Sequence, residues 1–379
     1  MKIGIMSMQR IINYGSFLQA YGLKRTLENM GHQVQFVDYE IGAPLIATKR
    51  DGHWKCLMRK GMGAVKLVSP SYRAHRQLQI QANKSFGDFY SRFQSEYLPQ
   101  LGISEQRNLC PQLDALVIGS DEVFNCTQAN GDVGYSLQLF GKDRRARRLI
   151  SYAASFGSTT LEKLDQHGVR QEIADCLSTF DCLSVRDENS AQIVSSLLGR
   201  SPVQNIDPVL LYDFPEAEDI EVTMKDYMVV YAYAGRIRPE EEKVIREFAK
   251  KHGKTIVSLG FWQTFCDVCV PATPLEVLAY IKHADYVITD TFHGTVFSIK
   301  NQVPFATLIR NSNQEKLSDL LRRFHLEKRS VTRLSDLEAV VTQPLDKSAV
   351  CELLGRYQAQ AKEYLKTALT ADGQGSVIQ

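Results

Sequence analysis

Strand-sized apolar runs alternate with helix-sized amphipathic segments along nearly the whole chain, and this alternation limits the fold more than any other feature of the sequence. Residues 2–6 form an apolar run. The turn Asn13-Tyr14-Gly15-Ser16 follows, and Phe17, Ala20, Tyr21, Leu23 and Leu27 then recur at helical spacing. Ser16 is the expected N-cap and Gly31 the expected stop. A second apolar run at 34–37 completes a βαβ opening, the unit from which parallel doubly wound sheets are built. Further strands are predicted at 115–119, 149–155, 182–185 and 203–206, with helices at 161–178 and 187–198. The pattern lapses near 213–217, where Pro215 and several acids interrupt it, and then resumes. Strands are predicted at 227–231, 255–259, 286–289 and 304–308, and helices at 239–251, 275–283, 295–300 and 316–324. A chain of 379 residues exceeds what one hydrophobic core serves, roughly 250–300 residues. The expected fold is therefore α/β, with two Rossmann-like domains facing across a cleft. The first spans 1–215 and carries a basic helical insert at about 46–108; the second spans 216–345, and a C-terminal helix and tail occupy 346–379.

In open α/β sheets, ligands sit beyond the carboxyl ends of the strands, so the loops there are the candidate sites. The sharpest is Thr289-Asp290-Thr291-Phe292-His293-Gly294-Thr295. The strand ends in Asp290, and Gly294 and Thr295 are expected to open a helix whose first amides and dipole would hold an anion. His293, in the turn, is a side chain that can give or take a proton near neutral pH. In a purely structural role it would cap the helix or bond a carbonyl. Arg186 ends another strand and could clamp a carboxylate or phosphate bidentately, or pair with Asp187 or Glu188. In Gly119-Ser120-Asp121-Glu122 the glycine permits a tight turn, and the acids could bind sugar hydroxyls, act as a general base, or merely cap the turn. The segment from Asn13 to Gln19 lacks the GxGxxG of dinucleotide sites, yet offers its amides and two polar side chains to a ligand. Arg236, after the strand at 227–231, is a further strand-end cation.

A formal net charge of +2 gives no polyanion-scale attraction, and no nucleic-acid partner is expected. The N-terminus lacks a signal-peptide pattern, and no window approaches the roughly 18 apolar residues of a spanning helix. The expected location is the cytoplasm, with the eight cysteines reduced. Cys266 and Cys269 form a lone CxxC without a second ligand pair, so no metal is expected. The insert gathers Lys49, Arg50, Lys55, Arg59, Lys60, Lys66, Arg73, Arg76, Lys84 and Arg92, interleaved with Trp54, Met58 and Tyr72. Such a stretch suits a solvated helical face, or peripheral contact with the inner membrane surface. The sequence does not set an oligomeric state.

The segments INYGSFLQAYGLKRTL, VIGSDEVFN, SYAASFG, LSVRDENSAQIV, DPVLL and ITDTFHGTVFSI occur in this order. The series resembles the polysaccharide pyruvyl transferase family over most of the chain. The resemblance implies a fold similar to B-type glycosyltransferases. It also implies phosphoenolpyruvate as co-substrate with no other cofactor, and a pyruvate ketal formed on a sugar acceptor, free or lipid-linked, of a cell-surface polysaccharide or its precursor. It places the family's histidine on His293 and a family arginine on Arg186. Where many members carry R-x-H, Thr291 and Phe292 precede the histidine here, which leaves the donor's counter-charge to Arg186, Arg236, Arg310 or Lys316. The resulting expectation assigns His293, Asp121 and Glu122 to catalysis. Arg186, Gly294, Thr295, Arg236 and Lys316 are assigned to the donor, and Asn13, Tyr14, Gly15, Gln19 and Ser120 to the acceptor. Two other readings share the architecture: a glycosyltransferase using a nucleotide sugar, and a non-catalytic sugar-binding relative.

Overall fold

The computed structural model describes residues 1–46, 84, 87–233, 235–260, 263–310 and 313–370. Most of the basic insert and the tail after residue 370 lie outside the described residues, and the reading of that insert as a membrane-facing surface lies there with them. The first half runs β1 (Lys2–Met6), α1 (Tyr14–Asn29), β2 (Gln33–Phe36), β3 (Leu113–Ile118), β4 (Ala146–Ser151), α2 (Leu161–Gln166), α3 (Arg170–Ser178), β5 (Ser184–Val185), α4 (Glu188–Leu198), β6 (Val203–Gln204) and α5 (Pro208–Leu211). The second runs β7 (Tyr227–Tyr231), α6 (Pro239–Lys251), β8 (Thr255–Leu259), β9 (Val268–Val270), α7 (Pro274–His283), β10 (Tyr286–Thr289), α8 (Phe292–Lys300), β11 (Phe305–Leu308), α9 (Gln314–Arg323), β12 (Ser330–Val331), α10 (Leu337–Thr342) and α11 (Lys347–Thr370).

Every strand pair is parallel. The first sheet has the order β2-β1-β3-β4, and single bridges from Ile150 to Cys182 and from Ala154 to Val185 attach the β5-β6 pair to its edge. The second sheet has the order β12-β11-β10-β7-β8-β9. Helices cover both faces, so the central strands are largely buried and read as apolar runs; all five residues of β7 are buried, whereas β2, β6 and β9 at the edges are half-buried. One core runs through the junction, from Ile3 and Ile5 of β1 across α1 to Val229 of β7 and Val296 of α8. Full burial of each such side chain contributes about 1.5–3 kcal/mol.

Local chemistry sets the helix starts, and it differs from expectation in three places. Asn13, not Ser16, caps α1: its Oδ1 accepts the Ser16 amide at 2.7 Å, and the helix begins at Tyr14. The expected helix over 161–178 is two helices, parted at Gly168, whose φ of +67° is left-handed backbone. Thr291 caps α8, so that helix opens at Phe292 rather than at Gly294. α11 crosses back onto the first domain, where Tyr364 Oη donates to the Ser151 carbonyl at 2.8 Å and Gln358 Nε2 to the Leu210 carbonyl at 2.9 Å.

Candidate active site

In the first sheet the strand order reverses between β1 and β3; in the second it reverses between β7 and β10. A reversal of this kind opens a crevice at the carboxyl ends of its two strands. Here both crevices open onto one cavity of about 590 Å³. The first domain contributes Asn13, Ser16, Asp121, Glu122 and Arg186 to its wall, and the second contributes Tyr233, Arg236, Asp290, Thr291, Phe292, His293 and Lys316.

His293 lies in the first turn of α8, its side chain 11% exposed at the cavity wall. Its Nε2 is buried, has no hydrogen-bond partner among the described residues, and stands 3.8 Å from Asp207 Oδ2. Its Nδ1 edge lies against Gly15 of α1, so closely that a Cβ on Gly15 would fall 2.1 Å from that nitrogen. Burial lowers the imidazole below its ordinary value; Asp207 and Asp121 push it up, and Arg186 and Lys316 push it down. Burial therefore favours the neutral ring over the imidazolium.

Asp121 follows β3 with a φ of +72°, a conformation that costs a non-glycine residue of order 1–3 kcal/mol and that clusters at functional sites. Burial would raise its carboxyl, but Arg186, His293, Lys316 and the Ser16 hydroxyl, at 3.0 Å, together hold it below the ordinary carboxylate range. Glu122 is likewise raised by burial and by Asp121. Lys316 and Asn125 outweigh both and hold it low. Lys316 Nζ reaches across the cleft to Glu122 Oε1 at 2.7 Å. Gly157 leaves room for that carboxylate, since a Cβ there would meet Glu122 Oε2 at 2.5 Å.

Arg186 is 4% exposed and already engaged. Its Nη1 donates to Asp207 Oδ2 at 2.8 Å, it reaches Asp121 Oδ1 at 3.5 Å, and its guanidinium lies 4.1 Å over the Phe292 ring. Neither Asp187 nor Glu188 is its partner in these pairs: Asp187 caps α4 through the Ser190 amide and accepts from Ser155 Oγ. Arg236 pairs with Asp290 Oδ2 at 2.9 Å. Arg310 does not line the cavity; it grips Glu241 with both Nη groups and reaches Asp290 at 3.3 Å. Of the charged groups on the wall, Lys163, Arg186, Arg236 and Lys316 face Asp121, Glu122, Asp290 and Glu315. The cavity is charge-balanced, not the basic seat the sequence suggests: Arg186, Arg236 and Lys316 are already paired with carboxylates, while Lys163 Nζ donates to the Ser158 carbonyl.

Several expected ligand contacts are instead internal. The Gly294 amide donates to Thr291 Oγ1 at 2.9 Å and the Thr295 amide to the Thr291 carbonyl at 3.3 Å, so neither is left for a donor anion. The amides of Phe292 and His293, at the first two helical positions, have no acceptor within α8. Tyr14 is fully buried, its hydroxyl spent on the Ala272 carbonyl across the domain junction. Gln19 is also fully buried and donates to Ser7 Oγ and the Ser16 carbonyl. Ser120 donates to the Ala153 carbonyl at 2.8 Å and is sealed off, and Gly15 only makes room for His293. Among the five expected acceptor contacts, Asn13 is the one on the cavity wall, with Nδ2 on Ser16 Oγ at 3.0 Å.

Sequence reasoning missed Asp207, which joins Arg186 and His293, and Tyr233, which is 42% exposed on the cleft wall. Asp207 carried a signal in the DPVLL segment, an acid directly before a proline-initiated turn of helix. The exposure of Tyr233 had none.

Solved structures resemble the whole chain. UDP-GlcNAc 2-epimerase from Neisseria meningitidis, bound to UDP-GlcNAc, superposes with a TM-score of 0.50 at 10% identity, covering 97% of this chain and 99% of that one. The S. aureus MnaA–UDP complex gives 0.50 at 11% identity, covering 99% of each chain. The E. coli structure described as trehalose-6-phosphate bound with UDP-2-fluoro glucose gives 0.50 at 11%, covering 98% of this chain and 100% of that one. At such identities the likeness shows the fold, which is that of GT-B glycosyltransferases and epimerases. No curated protein matches the sequence. The profile of one family, polysaccharide pyruvyl transferase, matches residues 13–313, from the cap of α1 to the residue before α9, a span that includes β3, the second sheet reversal and the whole histidine loop. By that match the chain belongs to the polysaccharide pyruvyl transferase family.

Proposed function

We propose that the cleft transfers the pyruvyl group of phosphoenolpyruvate onto two hydroxyls of a sugar, forming a cyclic ketal and releasing inorganic phosphate. The observation that carries this reading is the meeting of His293, Arg186, Asp121 and the Glu122–Lys316 pair in one interdomain cavity. Its volume is in the range that holds drug-sized ligands, roughly 300–1,000 Å³, which leaves space for a sugar beside a three-carbon donor.

The donor brings phosphate and carboxylate charge that needs partners when buried. Lys316 and Arg236 are the half-buried cations able to turn from Glu122 and Asp290 toward it, with the Phe292 and His293 amides beside them. Donor charge next to His293 favours its protonation. The imidazolium gives its proton to the methylene carbon, and C2 becomes electrophilic. A sugar hydroxyl oxygen bonds to C2 while a carboxylate, Asp121 or the released Glu122, takes its proton. The C2–O bond to phosphate breaks, and the second hydroxyl closes the ring, its proton leaving with the phosphate. The sugar lies against Tyr233, whose exposed ring lines the same cavity and offers it an apolar face.

The test is direct. Incubated with phosphoenolpyruvate and a panel of glycoside acceptors, the protein should release phosphate only when an acceptor is present, and mass spectrometry should show a pyruvyl ketal on that acceptor. His293→Gln should retain the fold and lower turnover about 10²–10⁴-fold. Thermal stabilisation by uridine or guanosine nucleotides, with none by phosphoenolpyruvate, would instead favour a nucleotide-sugar glycosyltransferase.

A further inference from the structure

Asp207 stands at the start of α5, 1% exposed, where the two domains meet. Its Oδ1 accepts the Val209 amide at 3.0 Å, an ordinary helix cap. A cap needs one oxygen and no charge, and serine or asparagine serves as well. The second oxygen has different company. Oδ2 accepts Arg186 Nη1 at 2.8 Å from the first domain and stands 3.8 Å from His293 Nε2 of the second. A carboxylate buried this deeply is costly unless its charge is used.

The surroundings of the imidazole decide what that charge does. Gly15 of α1 faces Nδ1, and Phe292 and Phe297 of its own helix flank the ring. The charged groups around it are Asp207 before α5, Asp121 after β3, Arg186 after β5 and Lys316 on α9. Asp207 is the carboxylate that approaches Nε2 within 4.0 Å. Nε2 itself is sealed from solvent and has no hydrogen-bond partner among the described residues. With Nε2 sealed, the nitrogen left for the reactants is Nδ1, on the ring edge that packs against Gly15.

We propose that Asp207 is the positioning residue of this cleft: one carboxylate oxygen fixes Arg186 and holds Nε2 of His293, so that protons exchanged with the reactants pass through Nδ1. The two carboxylate oxygens thereby tie helix cap, guanidinium and imidazole into one unit across the domain junction. The inference rests on the pyruvyl-transfer reading only for the identity of the reactants; the orientation of the ring can be tested without them.

The experiment is a pH titration of the full-length protein labelled with ¹⁵N-histidine, with the His293 signals assigned by their loss in His293→Gln. The expected result is a neutral Nε2–H tautomer in the wild type. Asp207→Asn, which keeps the cap and the shape, should lower the His293 pKa by about one unit or more. Asp207→Ser, which keeps the cap with a smaller side chain, gives the same readout should the asparagine variant not fold. In an assay of acceptor-dependent phosphate release, the pH profile of kcat/KM should move to lower pH by the same interval. A Nδ1–H tautomer in the wild type, or an unmoved His293 titration in a folded Asp207 variant, overturns the proposal. A loss of melting temperature with no titration shift would mark Asp207 as a helix cap and nothing more. Absence of phosphate release from the wild type would sink the pyruvyl-transfer reading while leaving the titration result intact.

Discussion

The densest set of constraints at the level of single residues is the contact between Gly15 and His293. Gly15 lies in the first turn of α1, where helical backbone demands nothing special of it. Its requirement is spatial: a methyl group would meet His293 Nδ1 at 2.1 Å and the ring Cγ at 2.2 Å. No real contact is that short, so the imidazole or the helix must move. Overpacking of this kind costs about 1–3 kcal/mol, and here the displaced group is the candidate acid. Gly15→Ala should therefore lower turnover about 10-fold or more, with a loss of stability in that range, both read from phosphate release and urea denaturation. A variant with wild-type turnover would show that the ring has room to spare. A Cβ on Gly22 would likewise fall 2.8 Å from a backbone carbonyl, that of Pro208 beside Asp207, so this second glycine of α1 is also set by close packing.

Among the elements, α8 shows how a strand end becomes the loop that carries His293. The Thr289 hydroxyl donates to the Tyr231 carbonyl at 2.7 Å and accepts the Thr291 amide, which ties β10 to β7 at the sheet reversal. Thr291 Oγ1 then takes the Gly294 amide, and Gly294 is small because a Cβ would strike Thr289 Oγ1 at 2.1 Å. The two threonines fix the start of α8 and with it the ring of His293. Thr291→Val keeps the shape and removes the cap, and should cost about 1 kcal/mol in urea unfolding, whereas Thr291→Ser should be nearly neutral. Equal losses in the two variants would show that the cap carries no stability. Periodicity made this helix legible from sequence, along with β1, β7, β8 and β10, because strands buried on both faces and helices with one apolar stripe leave unmistakable patterns. The short elements β9, β12, α5 and α10 escaped it: two to six residues repeat a strand or helix period too few times to show a pattern. Within the site, sequence placed His293, Arg186, Asp121 and Glu122 at strand ends. It did not foresee that Arg186 is held by Asp207, or that Tyr14 and Gln19 point into the core. Those outcomes depend on contacts between separate segments, Arg186 with Asp207, Tyr14 with Ala272 and Gln19 with Ser7, which spacing within one segment does not encode.

For the molecule as a whole, folding places charged and titratable groups at an interdomain junction, and this makes stability depend on pH. Arg323 of α9 donates to the Arg186 carbonyl at 3.0 Å, Lys316 reaches Glu122, and α11 packs its Tyr357 against Phe324 and beneath Arg323 while the rest of the helix lies on the first domain. His293 lies inside this junction, and burial lowers it below the ordinary 6.5. Unfolded, the imidazole takes its proton as pH falls through that value; folded, it resists until lower pH. The unfolded chain therefore binds more protons across that window, so stability must fall as pH falls from about 7 toward 5. Asp121 and Glu122 are depressed, so their contribution is lost only at lower pH, below the ordinary carboxylate range. Asp290 is raised by burial against the pull of Arg236 and Arg310, and acts with the opposite sign: its contribution is full at low pH and is lost as pH rises through its folded value. A bare pH profile mixes these groups with His32, which burial also lowers. The informative quantity is the difference between wild type and His293→Gln, since glutamine cannot titrate. Urea denaturation at pH 7.5, 6.0 and 5.0 should show the wild type losing more stability on acidification than the variant, with the gap opening below about 6.5. Parallel losses would mean that the imidazole is as easily protonated in the folded protein as in the unfolded chain. The ring would then be solvated rather than held neutral beside Asp207, and donor binding would not be what charges it.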